Sequence, residues 1–275
     1  MRAFLRRLIG KSDIVIPFVR LSGAIGMVSP LRSGVSLATI EGNLHRAFRT
    51  RAPAVAILIN SPGGSAVQSH LIFKRIRALA DRHNKRVIVA VEDVAASGGY
   101  LVALAGDEIV VDPSSIVGSI GVVSAGFGFH KFIERIGVER RVHTAGESKA
   151  MLDPFQPEKA DDVARLETLQ REVHANFIEL VRSRRMTLAS DPELFTGAFW
   201  SGSRAVALGL ADRGGDLRQV LRERYGEGVK LQQVGGERGF LRRRLGLDTT
   251  TTSVALIERV IAVIEERLLW GRYGL

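Results

Sequence analysis

The chain has 275 residues, 45% hydrophobic and 25% charged, the proportions of a globular protein large enough to bury a substantial core. It contains no cysteine, which excludes disulfides, a thiolate metal site and a cysteine nucleophile. Its net charge of +10 is uneven, with nine Lys or Arg against Asp13 and Glu41 in residues 1–51, unlike a uniformly basic nucleic-acid-binding domain.

At the start of the chain, Met1 to Gly10 is basic. Asp13 and Arg20 interrupt the next stretch, and Gly and Pro break Leu21 to Leu31, so no secretory signal is read. Residues 1–17 form a basic arm, suited to an anionic membrane surface or to simple solvation. The stretch Pro113 to His130 is free of Asp, Glu, Lys and Arg, with four glycines and four serines. A bilayer span needs about 20 mostly apolar residues, so this stretch reads as core strand and loop.

From residue 54 a strand–loop–helix rhythm begins. Ala54 to Ile59 is a short apolar run typical of a buried parallel strand, ending in the turn Asn60-Ser61-Pro62-Gly63-Gly64-Ser65. A helix comes next, with Leu71, Ile72, Ile76 and Leu79 on one face. Arg86 to Val91 is a second strand and runs into Ala95-Ala96-Ser97-Gly98-Gly99-Tyr100. Glu108 to Val111 reads as a third strand and Ile120 to Val123 as a fourth. Alternation of this kind implies a parallel sheet with helices on its faces, an α/β fold.

A long amphipathic helix is predicted over Pro157 to Arg185, with Val163, Leu166, Leu169, Val173, Phe177 and Leu180 on its apolar face. Phe195 to Leu210 reads as a loop and short helix, and Leu217 to Tyr225 as another helix. Gly235-Gly236 ends the core, leaving residues 235–275 as a linker and an amphipathic helix from Ser253 to Trp270. Val254, Ile257, Ile261, Ile264 and Leu268 form the apolar face of that helix. The expected units are thus the arm 1–17, a catalytic domain 18–234 and the segment 235–275.

Three polar side chains stand out. Ser97 falls at the carboxyl end of an apolar strand, where open α/β sheets place ligands. Gly98 and Gly99 let a carbonyl approach the backbone, and the Gly63-Gly64 turn offers further N–H groups for an oxyanion. The bland alternative is a serine that caps the helix beginning at Gly98. Lys149, in Gly146-Glu147-Ser148-Lys149, is a candidate base if apolar surroundings keep it neutral. Otherwise it is a solvated loop lysine, and Glu147 or Asp153 would keep it charged if they faced it. Ser119, in Gly118-Ser119-Ile120-Gly121-Val122, is either a turn serine or the hydroxyl that orients the lysine.

The segments N-S-P-G-G-S, A-A-S-G-G-Y, G-S-I-G-V, G-E-S-K and G-L-A-D occur in this order over residues 18 to 225. Ser119 lies 22 residues after Ser97, and Lys149 lies 52 after it. Together they resemble the SppA/SohB signal peptide peptidase family of bacterial Ser–Lys serine-type endopeptidases. The resemblance implies Ser97 as nucleophile, Lys149 as general base and Ser119 as the hydroxyl orienting the lysine, with the backbone N–H groups of Gly63 and Gly98 as oxyanion hole. It also implies a ClpP/crotonase-like superhelix of β-α units, ring- or dome-shaped homo-oligomers, and remnant signal peptides or other unfolded apolar peptides as substrates. Two features depart from the family: no N-terminal transmembrane anchor is readable, and Ser148 stands where a bulkier residue usually precedes the base.

Other readings make different demands. A ClpP-like Ser–His peptidase would draw on His130, His143 or His174, none of which lies in a glycine-rich turn. A crotonase-like acyl-CoA enzyme would use the glycine turns without Ser97 or Lys149, and a membrane scaffold would use only the ends of the chain. No metal motif and no Walker-type lysine is present, so no metal or other cofactor is expected. No nucleic-acid partner is expected either. The expected location is the cytoplasm, with peripheral contact at the inner face of the cell membrane.

Overall fold

Residues 14–26, 28–29, 32–235 and 267–274 are described by a computed structural model. In chain order the first elements are β1 (Val15–Ser22), a small antiparallel pair β2 (Val28–Ser29) and β3 (Arg32–Ser33), α1 (Leu37–Phe48), β4 (Ala54–Ser61), α2 (Ala66–His83) and β5 (Arg86–Ala96). Next come α3 (Gly98–Ala103), β6 (Glu108–Val111), β7 (Ile116–Gly118), α4 (His130–Arg135) and α5 (Ala160–Arg184). The last are β8 (Phe199–Ser201), α6 (Gly202–Ala207), β9 (Arg213–Gly214), α7 (Leu217–Tyr225) and β10 (Lys230–Gln233).

The sheet runs β10-β1-β4-β5-β6-β9, all parallel, and β7 and β8 extend it beside the far half of β5. The two central strands are the most apolar, since helices cover both of their faces. On one face Val55, Ile57, Ile59, Val87, Val89 and Val91 pack against α1, α2 and α3. On the other, Ala54, Ala56, Ile88 and Ala90 meet Leu217, Val220 and Leu221 of α7. Each buried aliphatic side chain of this kind contributes about 1.5–3 kcal/mol relative to exposure. Helix starts obey local chemistry. The Ser36 hydroxyl accepts from the Thr39 N–H at 3.3 Å, and Asp216 accepts from the N–H groups of Arg218 and Gln219 at the start of α7.

One device positions the site. The first half of β5 pairs with β6 (Ile88↔Glu108 to Val91↔Val111), and the second half pairs with β7 (Val94↔Ile116 to Ala96↔Gly118). At the changeover Glu92 pairs with Arg20 at 2.8 Å, and Asp93 accepts from the Asn60 side-chain amide at 2.6 Å. Asn60 also accepts from the Val94 N–H at 3.3 Å. β5 therefore continues five residues past the predicted end at Val91, which brings the Ser97 turn beside the end of β4.

Other boundaries differ from expectation. Residues 15–17, expected in the basic arm, are the first three of β1, and Pro17 takes part in the ladder with β10. The fourth strand is Ile116–Gly118 rather than Ile120–Val123. Ser119 has a left-handed backbone (φ 55°), which ends the extended run before Ile120. Leu71, expected on the buried face of α2, is exposed, and Phe73 is buried instead. α5 spans nearly the predicted range, but only Phe177 and Val181 are buried, and Leu169 is 56% exposed. In the first half of that apolar face Val163 and Leu166 are half-buried and Leu169 faces solvent. Most of the predicted helix Ser253–Trp270 lies outside the described residues.

Candidate active site

The Ser97 turn joins β5 to α3 with φ 51° and ψ −121°, a backbone conformation that a residue with a side chain adopts only under constraint. Its N–H donates to the Gly118 carbonyl at 2.8 Å, holding the turn against β7. Although Ser97 occupies the cap position of α3, its hydroxyl makes no capping hydrogen bond. The helix-cap alternative therefore fails; Ser97 is half-exposed, and its hydroxyl has no hydrogen-bond partner among the described residues. Behind it α3 is buried on every side, and the Tyr100 hydroxyl donates to the Leu210 carbonyl at 2.9 Å. Burial pushes the Tyr100 phenol well above its ordinary value, so it stays a neutral donor.

Gly63 lies directly against this turn. With φ +104°, a Cβ on it would sit 2.8 Å from the Ser97 Cβ and 2.9 Å from the Gly98 nitrogen. Only glycine allows that approach. The loop carrying it is clamped on its other side. The Ile25 N–H donates to the Gly63 carbonyl at 2.7 Å, and the Ser65 N–H donates to the Ile25 carbonyl at 2.8 Å. The Gly63 N–H donates to the buried Ser61 hydroxyl at 3.2 Å, a long bond that a charged acceptor would outcompete. Gly98 opens α3, so its N–H has no acceptor within the helix. On a Gly98 Cβ the nearest atom would be the Ser69 hydroxyl, itself held by the Ser65 carbonyl at 2.8 Å.

Ser119 is buried at the end of β7, next to Gly118, whose carbonyl holds Ser97. Its N–H donates to the Ala198 carbonyl at 2.7 Å. The next carbonyl, of Ile120, accepts from the His174 Nε2–H at 3.1 Å, which fixes the protonated nitrogen of that ring. Thus Ser97, Gly63, Gly98 and Ser119 come together around one strand-to-helix turn.

Lys149 has no hydrogen bond to any of them among the described residues. It is exposed, and its side chain makes no hydrogen bond or ion pair among the described residues. It sits on an arm, residues 121–159, that scarcely touches the core. α4 on this arm buries nothing, while Phe127 is 74% and Phe132 60% exposed. The arm has its own small scaffold. Phe129 stacks between Phe127 and Phe155 with ring centres 6.2 and 5.7 Å away, and the Arg140 guanidinium lies over the Phe155 ring. Asp153, a potential neighbour of Lys149, pairs instead with Arg140 at 3.2 Å and accepts from the Phe155 N–H at 3.0 Å. That N–H bond, with help from Arg140, holds the Asp153 carboxyl below its usual range.

Sequence reasoning missed the positioning roles of Asn60, Ser61, Ser69 and His174. Asn60, Ser61 and Ser69 are buried polar residues among the apolar core, and each hydrogen-bonds a turn or strand end bordering the site. A polar residue inside an otherwise apolar segment was the available signal for Asn60 and Ser61.

The chain matches known proteins over most of its length. Residues 80–231 match the family model described as peptidase family S49, and residues 6–126 match that of the ClpP-like SDH-type serine proteinases. A protein of Brucella abortus named as a Na(+)/H(+) antiporter, NhaA, is 56% identical over 272 residues, 94% of this chain and 37% of that protein. The chloroplastic serine protease SPPA of Arabidopsis thaliana is 33% identical over 221 residues, 77% of this chain and 32% of that protein. The chain therefore spans about a third of the length of these relatives. Among solved structures, a mutant of the 1510-N membrane-bound stomatin-specific protease, in complex with a substrate peptide, superimposes with a TM-score of 0.51 at 15% identity. That match covers 92% of this chain and 99% of the other. The architecture is accordingly the ClpP/crotonase-like α/β fold.

Proposed function

The chain belongs to peptidase family S49, whose SppA and SohB members are serine proteases, and from that premise we propose that it is a serine endopeptidase with Ser97 as nucleophile. The observation that carries this reading is the constrained, uncapped Ser97 turn with glycine backbone packed against it. Attack of the Ser97 hydroxyl on a peptide carbonyl would develop an oxyanion that the N–H groups of Gly98 and Gly63 would receive, the second by releasing Ser61. Lys149 is the proposed base: it would take the hydroxyl proton on attack and return it to the leaving amine. Ser119 would hold the lysine in line. Residues 15–234, from the first residue of β1, form the proposed peptidase unit.

Among the described residues no hydrogen bond joins Lys149 to Ser97 in a single copy, so the proposal includes its delivery. The apolar rings of the arm and the half-exposed first part of the α5 face are surfaces that a second copy would bury. We infer a homo-oligomer in which the packed arm carries Lys149 to a Ser97 turn. Unfolded apolar peptides, signal-peptide remnants among them, are the proposed substrates. The antiporter name is not carried over, because the part of that protein matched here coincides with the peptidase matches. The net positive charge of residues 1–51 favours a cytoplasmic protein held at an anionic membrane face. No helix among the described residues is long and apolar enough to cross a membrane.

The test is cleavage of a fluorogenic apolar peptide by the full chain, with light scattering on the same sample. Hydrolysis that disappears in Ser97→Ala, from an assembly larger than one chain, supports the proposal. Hydrolysis retained in Ser97→Ala overturns it.

A further inference from the structure

Unpaired positive charge gathers at one end of the sheet. The central strands run parallel, so their starts lie together, and residues 45–51 and 82–86 lead into the starts of β4 and β5. These two segments hold six Lys or Arg and two histidines, with no Asp or Glu. Arg86 pairs with the buried Glu108 at 3.2 Å. Arg46, Arg49, Arg51 and Arg82 are exposed and have no ion pair among the described residues. The carboxylates nearest in sequence are already engaged, Glu41 by Arg75 and Asp81 by Arg77. Lys85 ties the two segments together, its ammonium donating to the Thr50 carbonyl at 2.6 Å and to the Thr50 hydroxyl at 3.1 Å. Burial, and then the charges of Arg82, Lys85, Arg49 and His45, hold the His83 imidazole below its usual range, a sign of how closely these cations crowd.

A helix C-terminus attracts cations to its last turn, which accounts for His45, Arg46, Arg82 and His83. It does not account for Arg51, Lys85 and Arg86, which lie beyond the helix ends. Nor does the charge serve the Ser97 turn. α2 begins at the Gly63-Gly64 turn and ends in this patch, and its 18 residues span about 27 Å, about three Debye lengths at physiological ionic strength. The basic residues 1–13 join the fold at the same end, since β1 is parallel to β4, and Ile14 and Val15 at its start are 37% and 40% exposed.

We propose that this end of the sheet is a docking face for an anionic lipid surface, and that it holds the Ser97 turn on the far side of the molecule, facing away from the bilayer. The inference gives the membrane location proposed above a place in the fold, and it stands without the peptidase reading. Crowded cations with small apolar side chains beside them match phosphate headgroups and the outermost acyl carbons. Nucleic acid fits less well. Apart from the histidines, the only aromatic ring in the two segments is that of Phe48, which is buried and offers a base nothing to stack on.

In the test the full chain is floated with vesicles of equal parts phosphatidylglycerol and phosphatidylcholine, beside a variant carrying Arg49→Gln, Arg51→Gln and Arg82→Gln. Each cation lost at an anionic surface costs about five-fold in binding, so the triple variant should bind about a hundred-fold more weakly. A control carrying Arg165→Gln, Arg171→Gln and Arg218→Gln, exposed residues of α5 and α7, removes the same net charge and should bind as the unaltered chain does. Equal losses in both variants would reduce the effect to net charge and overturn the docking face. Full binding by the first variant would leave the attachment to residues 1–13 and overturn it as well. No binding by the unaltered chain would sink the membrane location together with the face, and tighter capture of duplex DNA through the same three arginines would overturn the lipid partner. Orientation is read separately. The chain has no cysteine, so an environment-sensitive dye is placed through Thr50→Cys at this end or through Ala66→Cys at the start of α2. Vesicles should shift the emission of the first dye only; a shift of both, or of the second alone, overturns the orientation.

Discussion

The Ser97 turn and the Lys149 arm lie 52 residues apart in sequence and obey opposite physical rules. Around Ser97 the chain is fully determined by its own folding: strands buried on both faces, a glycine against the serine Cβ, and loop bonds of 2.7–2.8 Å on each side. Residues 121–159 present their phenylalanines to solvent and are held by a ring stack and an ion pair. A constrained backbone persists only where its surroundings over-determine it, so the proposed nucleophile belongs to the rigid region. A base that must be brought up and kept dry belongs with surfaces that still have area to bury. On the proposed mechanism the two halves of the chemistry belong to two levels of organisation, one within the chain and one between copies.

The strongest way to break this contrast is to remove either half. Ser97→Ala and Lys149→Ala should each lower kcat/KM by at least about a thousand-fold. The double variant should be no worse than either, because nucleophile and base act as a unit. Lys149→Ala should leave the melting temperature unchanged, since the side chain is exposed and unpaired among the described residues. Additive losses would separate the residues and reopen a histidine base, with His174 the first to test.

Gly63→Ala probes the rigid region. The added methyl meets Ser97 at 2.8 Å on a left-handed backbone, so kcat/KM should drop about a hundred-fold, the scale of one lost oxyanion donor. Far-UV circular dichroism should be preserved. Wild-type kinetics in this variant would show that the Gly63 turn is not part of the site.

Ser119→Ala should be milder. Loss of one orienting hydrogen bond, about 0.5–1.5 kcal/mol net, corresponds to roughly a two- to twelve-fold fall in kcat. A loss as large as that of Lys149→Ala would make Ser119 a direct participant.

The smallest effect concerns acid. The folded Asp153 carboxyl titrates below its ordinary value, so its contribution to the arm is complete above that value and disappears as pH falls through the lower folded one. Protection of the amides in residues 140–155, corrected for the intrinsic exchange rate, should fall below pH ~4, with little change in β4 and β5. Equal acid sensitivity in both regions would erase the distinction between them.

The legible parts of the sequence were those governed by local rules. Buried strands without charge, capped helices and glycine-flanked serines could be read directly, and so the Ser97 turn and the parallel sheet were visible. Glu92-Asp93 looked like the end of a strand because charge normally marks a surface. Here the two residues sit where β5 exchanges β6 for β7, Glu92 paired with Arg20 of β1 and Asp93 hydrogen-bonded by the Asn60 amide of β4. β1 was missed because Pro17 and Arg20 interrupt its apolar alternation, although it lies between β4 and β10. The apolar stripe of α5 read as core, yet periodicity reports only that a face is to be covered, not by which chain. For the same reason Lys149 could be found from its motif and not from its surroundings.

Whether Ser97 is a nucleophile activated by Lys149 is tested most directly by covalent labelling with a fluorophosphonate and mass spectrometry of the labelled peptide. A single adduct on Ser97 in the full chain, lost or strongly slowed in Lys149→Ala, is the result expected. An adduct elsewhere, or equal labelling of Ser97 with and without Lys149, would contradict it.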